Sequence, residues 1–335
     1  MRLVQLSHVR LGRRVAVVEG DTLRLLPDAT SVYALALSAL FVHAKLADQI
    51  AAEEAGELLD YTEIYQGESD WHILPPLDHP DDPARCLVTG TGLTHRKGAA
   101  TRNAMHQTDP TVAPTITDSM KIYQWGEEGG RPETGEIGVQ PEWFYKGNGT
   151  ILRAHNEPLE TPAFAEDGGE EAEVAGLYII DQAGTPRRLG FAIGNEFSDH
   201  VMERRNYLYL APSKIRTCAL GPELALGAAF DSIEGTVTIE RNGAILWQNP
   251  IATGEAHMVH ALANLEHHHF KYPAHRRPGD VHIHFFGTGA FSFGAGIVLA
   301  EGDTMIVDLP ALGRPLRNPL QIETSAMELV TVREI

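Results

Sequence analysis

Residues 1–27 alternate apolar and polar positions in three short runs, RLVQLSH, RVAVVEG and TLRLLP, punctuated by Gly-Asp and by proline. That period of two predicts three short strands. From Ser31 to Leu59 the apolar residues recur at three and four, with Ser31 as N-cap and Gly56 interrupting near the end, which predicts a helix. The stretch His72–Cys86 is rich in proline and aspartate and is the predicted linker. It sets a small N-terminal α/β domain (1–80) apart from a larger domain (81–335). Residues 106–142 are glycine- and proline-rich and weakly periodic, predicting a long irregular segment that forms a functional loop or a subunit contact. From Phe144 onward strands dominate, with turns at Gly147-Asn148-Gly149, Asp181–Gly184 and Asn242-Gly243. Two helical stretches interrupt them, 197–214 and 255–272. The fold class read from this pattern is mixed α+β and β-rich.

One apolar run opens with charge. In GGEEAEVAGLYII (168–180), Glu171 and Glu173 are two apart, so a strand puts both carboxylates on one face. Like charges side by side repel. Either the segment is a solvated acidic edge or the carboxylates share a divalent cation, for which hard oxygen donors suit Mg²⁺, Mn²⁺ or Ca²⁺. A third acid follows in GFAIGNEFSDH (190–200), where Asn195-Glu196 is predicted to end a strand and lead into a helix. Glu196 there is either a third ligand or a residue favouring the helix dipole.

E-x-E before an apolar run, then G-N-[acid]-x-S some twenty residues later, resembles the fumarylacetoacetate hydrolase superfamily. The similarity continues through SKIRTCALGPEL (213–224), RRPGDVHIHFFGTGAFSF (276–293) and LGRPLRN (312–318), covering roughly residues 85 to 320 in the superfamily's order. GTGLTH and FYKGNGT resemble its sugar-acid, GguC-like branch. The resemblance implies a β-roll catalytic domain, a bound Mg²⁺ held by Glu171, Glu173 and Glu196, and a homodimer. Glutamate at 196 departs from the more usual aspartate.

The resemblance also assigns roles to single residues. Lys214, in SKIRT, falls at the active site, where a lysine stabilises developing negative charge or shuttles a proton; a lysine before a strand is otherwise a surface residue. His95, in GTGLTH, matches a histidine that serves as base. Many relatives carry an acid three residues later, whereas this chain has Gly98, so a carboxylate partner has to come from elsewhere, with Glu323 or Glu328 as candidates. Lys146 and Thr288 align with substrate-binding positions, Thr288 in a glycine-flanked turn suited to holding a carboxylate. His200 stands where many relatives have arginine and is either substrate-facing or on a helix surface. Asp199 beside it is predicted to be solvated. His267, His268 and His269 point about 100° apart on a helix and do not share one ion. His282 and His284 share a strand face but lack a third zinc ligand at close spacing.

The net charge of −18 excludes a nucleic-acid partner, since a phosphate backbone needs a basic face. It leaves room for a small anionic substrate if a cation and a few basic residues reverse the field locally. No apolar run reaches the length of a membrane span, and Cys86 and Cys218 read as free thiols. A cytoplasmic location is the expectation. A cation chelating a 2-oxo acid acidifies the C3 proton and stabilises the enolate. The first reading is thus a Mg²⁺-dependent lyase dehydrating a 2-keto-3-deoxy sugar acid. The alternative is a C–C hydrolase of a 2,4-diketo acid, and a third is a non-catalytic sugar-acid binder.

Overall fold

A computed structural model describes residues 1–53, 56–100 and 116–335. In chain order its strands and helices are β1 (Arg2–His8), β2 (Gly12–Glu19), β3 (Thr22–Leu26), α1 (Val32–Phe41), α2 (Leu46–Ala52), β4 (Leu58–Asp60), α3 (Tyr61–Gln66) and β5 (Trp71–Leu74). Then follow β6 (Cys86–Gly90), α4 (Asp118–Gly129), β7 (Phe144–Asn148), β8 (Leu152–Arg153), β9 (Leu159–Thr161), β10 (Ala172–Ile180) and β11 (Pro186–Asn195). The C-terminal part holds α5 (His200–Arg205), α6 (Leu210–Lys214), β12 (Cys218–Leu220), β13 (Leu224–Leu226), β14 (Ile233–Arg241), β15 (Ala244–Thr253), α7 (Leu262–Phe270), β16 (Val281–Phe285), β17 (Thr304–Asp308) and β18 (Leu316–Ile322).

The strands form two sheets among the described residues. The larger runs β4-β3-β2-β1-β13-β11-β10-β16-β6-β7, with β5, β12 and β8 beside this path, and the smaller runs β15-β14-β17-β18-β9. The 1–80 segment joins the large sheet where β1 pairs with β13. Leu3, Val15 and Leu26 pack in one cluster with Ala175, Leu177 and Ile283.

Strand β10 is buried along its whole length and divides two cores. Val174, Tyr178 and Ile180 face the small sheet with Val237, Ile239 and Val307. Ala175, Leu177 and Ile179 face α1, against Val32, Leu35 and Ala36. This is the period of two applied to a strand covered on both sides, so AEVAGLYII reads as continuously apolar. Each of its large aliphatic side chains contributes about 1.5–3 kcal/mol by leaving water.

The three N-terminal strands fall as their alternation predicts. Ser31 caps α1 by accepting from the Ala34 N–H. The predicted single helix to Leu59 is instead two helices and a strand. The chain turns at His43, whose φ of 55° is left-handed, and β4 pairs with β3. A Cβ at Gly56 would lie 2.1 Å from the Leu25 carbonyl oxygen, so that glycine permits the close approach of the two segments.

The irregular segment predicted over 106–142 is corrected in part. Residues 106–115 lie outside the described residues, and α4 occupies Asp118–Gly129, capped by Thr117 accepting from the Met120 N–H. Its buried face is Ser119, Tyr123 and Gly126, with Gly126 pressed against Val259 and His260. A helix that packs through small residues shows no apolar stripe.

Candidate metal and active site

Strands β10 and β11 pair antiparallel with Ala172 opposite Asn195 and Glu173 opposite Gly194. The pairing continues past both strands: the Glu196 N–H donates to the Glu171 carbonyl, and Gly169 and Ser198 exchange two bonds. Register alone therefore sets Glu171 across from Glu196, with Glu173 two residues further on the same side. Oxygens of all three carboxylates lie within 4.8 Å of one another, and all three residues are buried. A cross-strand pair of like charges is destabilising by itself. The solvated-edge reading of Glu171 and Glu173 does not survive this burial.

Two buried lysines offset the charge. Lys214 Nζ donates to Glu171 Oε1, to Glu196 Oε2 (2.7 Å) and to Ser198 Oγ (2.9 Å). Lys146 Nζ lies 2.6 Å from Glu196 Oε1 and donates to the carbonyls of Phe197 (2.7 Å) and Lys214 (3.0 Å). An ammonium has three donors, and these contacts occupy those of Lys146. It therefore stands behind Glu196 rather than against a substrate, a correction to its expected position.

The remaining imbalance appears in the proton affinities. Burial raises Glu173 well above the ordinary carboxylate range, and the charges of Glu196 and Glu171 add to it. Burial also raises Glu196, with Lys146 and Lys214 pulling the other way. With all three carboxylates ionised, two ammoniums would leave one net negative charge, and the raised proton affinity of Glu173 opposes that surplus in the metal-free site. The all-oxygen donor set and that surplus charge fit a hard divalent cation such as Mg²⁺, which would leave the site one positive charge to meet a monocarboxylate.

Beside the triad is a cavity of about 20 Å³, walled by Leu93, Glu171, His200, Glu203, Gly287 and Thr288. That volume suits a single water. Leu93 has φ 55°, a left-handed conformation that costs a non-glycine residue of order 1–3 kcal/mol and that recurs at functional sites.

His200 opens α5 but is buried, so the helix-surface alternative does not hold. Its Nε2 is 3.2 Å from Glu171 Oε1, and its ring stacks on Phe291 and lies beside Phe293. Burial disfavours the imidazolium, but the hydrogen bond and charge of Glu171 outweigh it and raise the ring's proton affinity. Asp199, predicted to be solvated, is fully buried. It caps α5 by accepting from the Met202 N–H and pairs with Arg216 at 3.1 Å.

His95 is held between two hydroxyls, with Nδ1 2.9 Å from Thr94 Oγ1 and Nε2 2.9 Å from Thr253 Oγ1. Burial, with a smaller contribution from His257, pushes it down to about 3. Glu323 and Glu328, the carboxylates named for it, are exposed, and Glu323 accepts from Ala163 and Ser325 instead. The Thr288 hydroxyl bonds Ala290 within its own turn. The amide donor from that turn is the Gly287 N–H, which goes to Glu173 Oε2 at 2.7 Å.

Three contributors were not singled out in the sequence. Glu170 accepts from the Ser292 N–H and hydroxyl and ties the 291–293 segment to the start of β10. Ser198 bridges Glu196 and Lys214. Glu203 reaches the cavity from one turn beyond His200, and its i, i+3 spacing from that residue was the available signal.

No family model matches the chain. It is 25% identical over 215 residues to 2-dehydro-3-deoxy-D-arabinonate dehydratase of Saccharolobus solfataricus, covering 63% of this chain and 62% of that protein. It is 25% identical over 173 residues to a probable 2-keto-3-deoxyxylonate dehydratase of Haloferax volcanii, covering 48% and 57%. The chain thus matches less than two-thirds of the length of these curated relatives. Among solved structures, a 2-keto-3-deoxy-D-arabinonate dehydratase complexed with magnesium and 2,5-dioxopentanoate superposes with a TM-score of 0.69 at 20% identity, over 97% of this chain and 100% of that one. A 5-carboxymethyl-2-hydroxymuconate delta-isomerase from Mycobacterium smegmatis gives 0.57 at 17%, over 96% and 100%. The β-rich α+β architecture is therefore the fold shared by these dehydratases and isomerases. The chain shares that fold, and its similarity in sequence is to 2-keto-3-deoxy acid dehydratases.

Proposed function

We propose that this protein is a Mg²⁺-dependent dehydratase of a 2-keto-3-deoxy pentonate. The observation that carries the reading is the buried triad of Glu171, Glu173 and Glu196 with Lys214 bridging two of its members. Similarity in sequence to two pentonate dehydratases supports the substrate class. A bound Mg²⁺ would supply Lewis-acid polarisation of a 2-oxo acid.

The chain's own residues supply the rest. Lys214 sets a positive charge beside the carboxylates. Its three donors are held by Glu171, Glu196 and Ser198, so it stabilises negative charge developing on the C2 oxygen through its field or by exchanging one of those contacts. His200 and Thr288 face the cavity and orient the substrate. His95, kept neutral by burial, takes the C3 proton after giving up its contact with Thr253. Loss of the C4 hydroxyl as water leaves a C3=C4 double bond; a proton moving from C5 to C3 gives the C4=C5 enol, and transfer of the C5 hydroxyl proton to C4 then yields 2,5-dioxopentanoate. Among the described residues the cavity of about 20 Å³ is smaller than a pentonate.

A homodimer and a cytoplasmic location belong to the same proposal, supported by the resemblance and by two free, buried cysteines. Among the described residues no single helix is long and apolar enough to cross a membrane.

The test is a product assay on metal-stripped protein given Mg²⁺ and a 2-keto-3-deoxypentonate, followed by mass spectrometry. Loss of one water, abolished by Glu173→Ala, is the expected result. Pyruvate released only from a 2,4-diketo acid would replace this reading with the hydrolase.

A further inference from the structure

His95 meets two hydroxyls and, through one of them, a carboxylate. Thr94 Oγ1 lies 2.7 Å from the Phe286 carbonyl oxygen. That oxygen can only accept, so the single hydroxyl proton of Thr94 goes to it. The same Thr94 oxygen is 2.9 Å from His95 Nδ1 and has only lone pairs left to offer. His95 Nδ1 therefore carries a proton and donates it. Burial keeps the ring neutral near pH 7, which leaves the lone pair on Nε2. The Thr253 hydroxyl, 2.9 Å away, donates to that lone pair.

The peptide between Phe286 and Gly287 extends the series. Its carbonyl takes the Thr94 proton, and its N–H, on Gly287, donates to Glu173 Oε2 at 2.7 Å. From His95 Nδ1 to Thr94, to that peptide and to Glu173, every donor points the same way. Hydrogen bonds aligned in series polarise one another. The backbone permits the contact: Gly287 has φ 94°, and a Cβ there would lie 2.1 Å from Thr94 Oγ1, pushing the hydroxyl away. Thr94 is pinned in turn, because its carbonyl accepts from the Val259 N–H while the Thr91 N–H donates to the Phe285 carbonyl.

We infer that Thr94 is the positioning residue for His95, holding its ring in the Nδ1–H tautomer through a relay that ends on Glu173. Glu173, reached through a hydroxyl and a peptide, stands in for the acid absent at Gly98. Thr253 alone does not select a tautomer, since its hydroxyl accepts from an N–H as readily as it donates to a lone pair. The use made of this tautomer, a lone pair on Nε2 to take the C3 proton, rests on the dehydratase reading.

The test reads the tautomer by NMR of the metal-free full chain labelled with ¹⁵N-histidine at neutral pH, and needs neither substrate nor Mg²⁺. Signals lost in His95→Gln assign the ring. The proton is expected on Nδ1 in the wild type and in Thr94→Ser. Thr94→Val keeps the shape and removes the acceptor. A buried Nδ1–H would then go unmade, whereas an Nε2–H donates to Thr253, so the proton should move to Nε2. Thr253→Val should leave it on Nδ1, which keeps the inference testable if Thr94→Val misfolds. With Mg²⁺ and a 2-keto-3-deoxypentonate, Thr94→Val should lower kcat on the order of a hundredfold with KM little changed, and Thr94→Ser should restore it. A wild-type proton on Nε2, a proton that stays on Nδ1 in Thr94→Val, or one that leaves Nδ1 in Thr253→Val overturns the inference. So does an unchanged kcat in Thr94→Val. The expected tautomers in a wild type that dehydrates no such acid would overturn the dehydratase reading and leave the positioning of His95 standing.

Discussion

Lys146 stands behind Glu196, its ammonium nitrogen 2.6 Å from Oε1, with neither side chain exposed to solvent at all. An ion pair in that setting is more costly to break than it is favourable to make. Removing one partner leaves the other charged and without compensation.

Lys146→Met should therefore destabilise the metal-free protein by about 3–5 kcal/mol. Glu196 takes up a proton in response, so saturating Mg²⁺ recovers only part of the loss. Urea unfolding of wild type and variant, with and without Mg²⁺, measures both effects. A variant as stable as wild type would show that Lys146 does not compensate Glu196.

Glu173 is the member of the triad whose charge the folded protein tolerates least. Glu173→Gln removes that charge, yet its amide oxygen can still accept from the Gly287 N–H. The metal-free variant should be at least as stable as wild type, while its affinity for Mg²⁺ falls by a factor of ten or more, about 1.4 kcal/mol. Calorimetric titration with Mg²⁺, together with thermal unfolding of the apo forms, separates the two quantities.

Burial holds several histidines neutral far below their ordinary range: His95, His282 and His284 at about 3, and His155 and His260 at about 4. Unfolded, these rings titrate near 6.5. Their folded values are depressed, so the unfolded state binds the additional protons, and stability is present above pH 6.5 and lost as pH falls from there toward 3. Each ring contributes a slope of up to about 1.4 kcal/mol per pH unit within that window. Denaturant unfolding at pH 7.5 and 5.5 should show a marked drop, and a flat profile would mean that the rings are hydrated.

Gly169→Ala tests how His200 is held. A Cβ there would lie 2.5 Å from His200 Nδ1, and the ring has to leave Glu171 to make room. Overpacking of this kind costs about 1–3 kcal/mol of stability, but the displacement should reduce kcat on the order of a hundredfold. Steady-state kinetics on the folded variant reads the difference. Unchanged kcat would remove His200 from the reaction.

Local pattern reaches as far as local causes do. The N-terminal strands, the Ser31 cap, the Asn242-Gly243 turn and the Glu171/Glu173 face were all legible because strand period, capping and left-handed turns act within a few residues. Resemblance in motif order brought Glu196, Lys214, Lys146, His95 and His200 onto the page, but it did not say which atoms they meet.

Tertiary structure decided that, because the partners are distant in sequence and no local preference encodes them. Lys146 meets Glu196 across 50 residues. His95 finds Thr253 rather than a carboxylate, and Asp199 is drawn out of water by Arg216. Helix α4 stayed hidden because it packs through Gly126 and Ser119, where close approach replaces an apolar stripe. The sequence by itself determined which residues carry charge and how the strands alternate. The register of β10 against β11, fixed by burial on both faces, decided that three of those charges share one dry site.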